Sequence, residues 1–274
     1  LAQYLLNQIF RSHCLNIKDR FVRTIIATAA FVSLAALSST SALATNKIRN
    51  GSFEQGGGTG VNRFTGWSKL NTPDNSPTQD QPASVIVYDS PAAYPVSAYG
   101  ERVTPDNVFS ASPDVVGSYA AYFVGDFSVN ETIYQDVYLA PGNFRVGFSY
   151  YLTQNGLNNI NNSSLSVTIL GLPVATTMIT GSSTGRTWLY ATGVAGITSA
   201  GWYRTALTFN SNGNPAKDVV VDRVFGVRTS DAATAFIPAS PIGSIPEPSA
   251  WAMLITGFGL VGFGMRRQRA LAAA

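Results

Sequence analysis

Glu101, Asp106, Asp114, Asp126, Glu131 and Asp136 lie in or beside one long polar stretch, and acid–base cleavage of a glycosidic bond needs only two carboxylates at the right separation. Other catalytic chemistries are short of parts. The chain has one His and one Cys, His13 and Cys14, adjacent near its start. The body after them therefore lacks a Ser-His-Asp or Cys-His set, an imidazole-bound metal and a disulfide. Calcium, which takes oxygen ligands, stays open to it. A P-loop, a dinucleotide fingerprint and an EF-hand loop are all missing from the sequence. A second chemistry is the stacking of aromatic rings on the apolar side of a sugar, with amides and charged groups fixing its hydroxyls. Trp67, Trp188, Trp202, Tyr94, Tyr99 and Tyr151 are the available rings. Trp67 follows a Gly and Trp202 opens an alternating run, so both read as core or core-edge residues. Tyr94 and Tyr99, in the polar stretch, read as exposed. Tyr151 and Arg145 would line a groove if their sheet face is concave.

Strands must position these side chains. From Thr45 to about Ser230, Gly, Asn, Ser, Thr and Pro separate short runs of Val, Ile, Phe and Tyr. The clearest is Asn143 to Tyr151, with Phe144, Val146, Phe148 and Tyr150 on one face and Arg145, Gly147, Ser149 and Tyr151 on the other. Glu131 to Leu139 alternates in the same way, and Pro141-Gly142 between the two runs predicts a β-hairpin. Further strands are expected over Lys47 to Glu54, Ser84 to Tyr88, Tyr119 to Phe123, Ser164 to Leu170, Val174 to Ile179, Thr187 to Tyr190, Gly201 to Phe209 and Asp218 to Val227. Roughly ten strands with scarce helical periodicity predict an all-β protein, an antiparallel two-sheet sandwich. A hydrophobic content of 45% suffices for its core. Lys69 to Pro82 and Asp89 to Gly117 read as long connections, of the kind that carry function or lack order.

The two ends have a different character. Arg20 and Arg23 precede an apolar stretch from Thr24 to Leu37, and small residues then lead to Ala42-Leu43-Ala44. This is the pattern of a secretory signal helix over 20–44, cut by signal peptidase after Ala44, with residues 1–19 as a non-structural extension. At the other end stand Pro246-Glu247-Pro248, a charge-free run from Ser249 to Met265 and the basic cluster Arg266, Arg267 and Arg269. The prolines keep their segment extended and poorly paired. About 17 apolar residues form a short transmembrane helix, with the arginines on its cytoplasmic side. Residues 231–245, small, polar and Pro-rich, read as a linker. Between Thr45 and Ile245, 13 acidic residues face 11 basic ones, so the formal net charge of +3 belongs to the ends. A basic nucleic-acid footprint is absent from the body.

Pro246-Glu247-Pro248-Ser-Ala-Trp251, the Gly-rich apolar run and Arg266-Arg267 closely resemble the PEP-CTERM sorting signal of Gram-negative bacteria, in its Trp-Ala variant. The resemblance implies recognition of the motif by exosortase, a membrane protease-transpeptidase, transient inner-membrane insertion, removal of the tail and delivery to the cell surface or extracellular matrix. A second resemblance covers residues 45–230. Asn-Gly-Ser-Phe-Glu54, Gly66-Trp67, the Tyr134 to Tyr150 region, Trp202 to Phe209 and Asp218 to Val224 are similar in order to galactose-binding-like jelly rolls, which include many carbohydrate-binding modules. That likeness implies a jelly-roll sandwich and a structural calcium ion on Glu54 and Asp222, although Arg223 stands where such modules commonly have Asn. The carbohydrate-binding candidates are those given by residue type and position, Tyr94, Tyr99, Arg145 and Tyr151. Three readings of the body follow: a non-catalytic binder of extracellular polysaccharide, a structural or adhesive matrix protein without a sugar site, and a carboxylate-dependent polysaccharide hydrolase or lyase.

Overall fold

The computed structural model describes residues 45–73, 81–126, 128–211 and 213–237, all within the unit Ala44–Ala274. The expected extension over 1–19, the signal helix over 20–44 and the sorting signal with its transmembrane helix over 246–274 lie outside the described residues. Among the described residues, no helix is long and apolar enough to cross a membrane.

The chain forms β1 (Ser68–Pro73), β2 (Ser84–Val87), β3 (Tyr119–Gly125), β4 (Ser128–Leu139), β5 (Gly142–Tyr151), a one-turn α1 (Gln154–Asn158), β6 (Ser163–Ile169), β7 (Leu172–Ile179), β8 (Trp188–Ile197), β9 (Gly201–Ser211), β10 (Ala216–Thr229) and β11 (Ala235–Ile237). A five-stranded sheet runs β1-β4-β9-β6-β7, and a six-stranded sheet runs β11-β8-β5-β10-β3-β2. All neighbours are antiparallel except β11, which pairs parallel with β8. The result is an all-β sandwich of two sheets.

Strand alternation sets the core. In β6, Leu165, Val167 and Ile169 are buried while Ser164, Ser166 and Thr168 are half-buried. Leu165, Val167, Ile133, Val137, Leu207 and Phe209 of one sheet meet Phe144, Val146, Phe148, Phe123, Val219 and Val221 of the other. Phe123 and Phe209 stack with ring centroids 6.0 Å apart, joining the two sheets directly.

The expected hairpin of residues 131–139 with 143–151 is not formed. β4 pairs with β1 and β9, whereas β5 pairs with β8 and β10. The Pro-Gly turn therefore carries the chain from one sheet to the other, so that the apolar faces of both strands point into one core. Alternation specifies which face is buried but not which neighbour supplies the hydrogen bonds.

Other boundaries shift for local reasons. Lys47 to Glu54 is not a strand: Asn50 and Phe53 have φ of 50° and 59°, and Asn50 Oδ1 accepts from the Gln55 N–H at 2.8 Å. Gly51 is required here, because a Cβ would lie 1.9 Å from the Val224 carbonyl oxygen. β1 occupies the start of the expected long connection 69–82. β11 lies inside the expected linker 231–245, where parallel pairing with β8 places Ile237 in the core.

A third layer covers the outer face of the six-stranded sheet. The connection 89–117 folds back over it, and Ala98 and Val103 pack with Ile86, Tyr88, Ala120, Tyr122, Val124, Tyr151, Trp188 and Val220. β10, covered on both sides, is buried without interruption from Ala216 to Val227. Covered on one side only, the same strand would alternate.

Candidate functional site

Where this third layer meets the end of β5, a groove of about 660 Å³ opens, lined by Tyr99, Glu101, Arg102, Thr104, Tyr151, Asn155 and Arg186 among others. Each wall has a local cause. Tyr99 and Gly100 both have positive φ, 50° and 84°, and the Glu101 N–H donates to the Ala98 carbonyl at 3.0 Å. This mirror-image turn makes the tip of a small hairpin. Tyr151 ends β5, and Thr153 caps α1 by accepting from the Gly156 N–H at 3.1 Å, which turns Asn155 toward the groove. Arg186 precedes β8 and is fixed by its N–H to the Leu152 carbonyl at 2.9 Å.

Glu101 organises this wall. Its Oε2 accepts the Gln154 N–H at 2.7 Å, its Oε1 accepts the Tyr151 hydroxyl at 3.4 Å, and Arg186 Nε lies 3.5 Å away. Burial and the Glu101 carboxylate push the Tyr151 phenol up to about 12, so it remains a donor. Burial also raises the Tyr99 phenol.

The four sugar candidates separate. Tyr99 and Tyr151 share the groove, but Tyr151 is 3% exposed and packs against Trp188 at 5.6 Å, so it offers a hydroxyl and not a stacking face. Tyr94, expected to be exposed, is half-buried; it stacks on Tyr99 at 5.6 Å and donates its hydroxyl to the Pro82 carbonyl. Tyr99 is half-buried as well, and its hydroxyl donates to Gln81. Arg145 pairs with Asp231 of the β10–β11 connection and is absent from the groove lining. Among the tryptophans, Trp67 is core, as its position after Gly66 suggests, and donates to the Asn50 carbonyl at 3.0 Å. Trp202 reverses its core expectation: it is 37% exposed and meets Tyr138 edge-on at 5.8 Å on the solvent face of the five-stranded sheet. Its strand alternates with Tyr203 inward, which puts the first aromatic outside.

The six loop carboxylates do not converge. Only Glu101 lines the groove. Asp106 is buried against Arg223, with Oδ2 2.6 Å from Nε. Asp114 accepts from Asn46, Asp126 from Asn159, and Glu131 from the Ala83 N–H, while Asp136 pairs with Arg204 on the opposite sheet.

The residues present do not fit the expected calcium site. Glu54 Oε1 accepts the Ser118 and Tyr119 N–H groups at 2.8 and 2.7 Å, and Gly117 makes room, since a Cβ there would fall 2.0 Å from the Glu54 carboxyl carbon. Asp222 is wholly buried, accepting from the Tyr88 hydroxyl and the Arg223 N–H, both at 2.6 Å. Burial pushes its carboxyl well above the ordinary range. Calcium needs several available oxygens, and no group of three or more His, Cys, Asp or Glu suited to a metal occurs among the described residues.

Arg102, Thr104, Asn155 and Arg186 escape sequence reasoning. The Tyr-Gly pair at 99–100 signals a turn. Nothing in the pattern says which strand end that turn approaches.

Comparison with known proteins locates two features. The PEP-CTERM protein-sorting motif matches residues 244–269, which marks export and exosortase-dependent delivery to the cell surface or extracellular space. No curated protein sequence matches the chain. Solved structures similar to it include TmCBM61 in complex with β-1,4-galactotriose, at 18% identity over 68% of this chain and 99% of that one, TM-score 0.38. A cyclase from Fischerella sp. TAU in complex with 4-(1H-indol-3-yl)butan-2-one is 14% identical over 69% and 98%, TM-score 0.44. A family 16 carbohydrate-binding module is 16% identical over 67% and 100%, TM-score 0.36. These likenesses are too distant to assign a ligand or a reaction to this chain.

Proposed function

For a chain exported under a PEP-CTERM motif and processed by exosortase, we propose that the sandwich is a non-catalytic module that binds polysaccharide of the extracellular matrix in the groove between the 98–104 turn and α1. The observation that carries this reading is the groove's lining: hydroxyl, amide, guanidinium and carboxylate groups converge on one open cleft large enough for one or two sugar rings. Such groups match the many hydroxyls of a saccharide better than they match an apolar ligand. The non-catalytic part is supported by the single carboxylate among the groove's described lining residues, one short of the pair that the usual glycoside-hydrolase mechanism uses. In this reading signal peptidase releases the N-terminus and the tail spans the inner membrane only until it is processed.

A glycan array tests it. Full-length chain in mild detergent is expected to retain at least one matrix-type polysaccharide above a control peptide of residues 244–274. Asn155→Ala should weaken retention about fivefold, the worth of one hydrogen bond of about 1 kcal/mol. Signals equal to the control across the array overturn the binding role and leave a structural or adhesive matrix protein.

A further inference from the structure

The charges of the groove are unequally presented. Glu101 is the only carboxylate among its described lining residues, yet the Glu101 side chain is 9% exposed and its two oxygens are taken by the Gln154 N–H, the Tyr151 hydroxyl and Arg186. Arg186, its ion-pair partner, keeps 65% of its side chain in solvent. Arg102 is also exposed, and it donates to the Asp89 carbonyl. The groove's negative charge is thus largely buried and offset by Arg186, which leaves a net positive charge on the lining, and both guanidinium groups border the space a ligand would enter. A guanidinium presents several N–H donors in a plane that matches a carboxylate. Around this spot the 45–245 body as a whole is slightly acidic, so the positive groove is a local feature.

Resting on the saccharide reading above, we propose that the groove selects acidic polysaccharide, with a uronate carboxylate held by Arg102 and Arg186 and the neighbouring hydroxyls by Asn155, Thr104 and the Tyr151 hydroxyl. The partially buried Glu101 sets the position of Arg186, acting as a positioning residue.

The test compares a galacturonate oligomer with its carboxyl-reduced neutral counterpart of the same length, titrated into the full-length chain in detergent, with polyglutamate as a third probe. The uronate is expected to bind about tenfold more tightly than the neutral oligomer and to weaken as salt is added. Arg102→Gln and Arg186→Gln should each lower uronate affinity about fivefold and leave the neutral oligomer within about twofold. Arg102 holds no buried partner, so its variant reads out binding even if Arg186→Gln disturbs folding through Glu101. Equal affinity for the two oligomers, or polyglutamate binding as tightly as uronate, overturns the acidic-sugar assignment. Equal binding of both oligomers leaves the saccharide reading intact, whereas binding of neither overturns this assignment and leaves the saccharide reading to the glycan array.

Discussion

The two faces of the six-stranded sheet are both buried, and they are built in different ways. The inner face meets another sheet whose backbone groups are paired in ladders, so Phe148, Val219, Val221 and Phe123 need only fill space. The outer face meets an irregular segment with no ladder of its own. Buried backbone groups without partners cost free energy, so side chains must supply the partners. Trp188 Nε1 donates to the Thr104 carbonyl at 2.7 Å, Asp106 Oδ1 accepts from the Val108 N–H at 2.9 Å, and Arg223 donates to the Val108 carbonyl at 2.6 Å. A layer made of loop can be dry only if its neighbours are polar.

β10 serves both requirements. Its alternation sends Val219 and Val221 inward and Asp218, Val220 and Asp222 outward. A register shift between Asp222 and Phe225, with Arg223 at φ 46°, then lets consecutive residues Asp222 and Arg223 both reach the loop layer. This is the known use of a bulge, re-aiming a side chain. Asp218 and Asp222 take equivalent roles two pleat repeats apart along β10: Tyr122 donates to the first and Tyr88 to the second, both at 2.6 Å.

The contrast can be broken at its strongest point first. Phe209→Ala, which removes the ring stacked on Phe123, is expected to cost about 3–5 kcal/mol in guanidinium unfolding. A loss below about 1 kcal/mol would mean that the inner face does not dominate stability. Arg223→Met comes next, because it leaves the fully buried Asp106 carboxylate without its cation; the expected loss is about 3 kcal/mol. The double variant Asp106→Leu with Arg223→Met should recover part of that loss, and no recovery would show that packing, not charge, holds the loop layer.

The third expectation concerns pH. Burial raises the Asp218 carboxyl to about 7, and Asp222, Asp114 and Asp126 move in the same direction. A folded-state value above the unfolded one, about 3.9, gives stability that is complete below pH ~4 and is lost as pH rises through ~7. From pH 5 to pH 8, Asp218 alone should cost about 2–3 kcal/mol, and Asp218→Asn should flatten that slope in thermal melts. A protein as stable at pH 8 as at pH 5 would contradict the burial of these acids, which belongs to the outer face alone.

How much of this was legible differs by level. Most strand positions followed from the apolar runs, and the inward face of β5 from alternation at Phe144, Val146 and Phe148. The partnership of strands did not, because the hairpin suggested by Pro141-Gly142 and the observed crossing between sheets place the same side chains in the core. The 89–117 segment was legible only as a long connection, and its turn at Tyr99-Gly100 and the meeting of that turn with α1 and Arg186 were not.

By itself the sequence determined the destination of the protein, since a sorting motif is a contiguous string, here at 244–269. It also determined the all-β class, because the period of two is a local property of each strand. Only the tertiary structure decided that Asp222 is buried beside Tyr88, that Glu54 anchors the start of β3, and that Glu101, Arg102, Asn155 and Arg186 share a groove. Those contacts join residues 50 or more positions apart in most cases, and the path of the 89–117 loop that brings them together depends on which side-chain donors and acceptors the sheet beneath it offers.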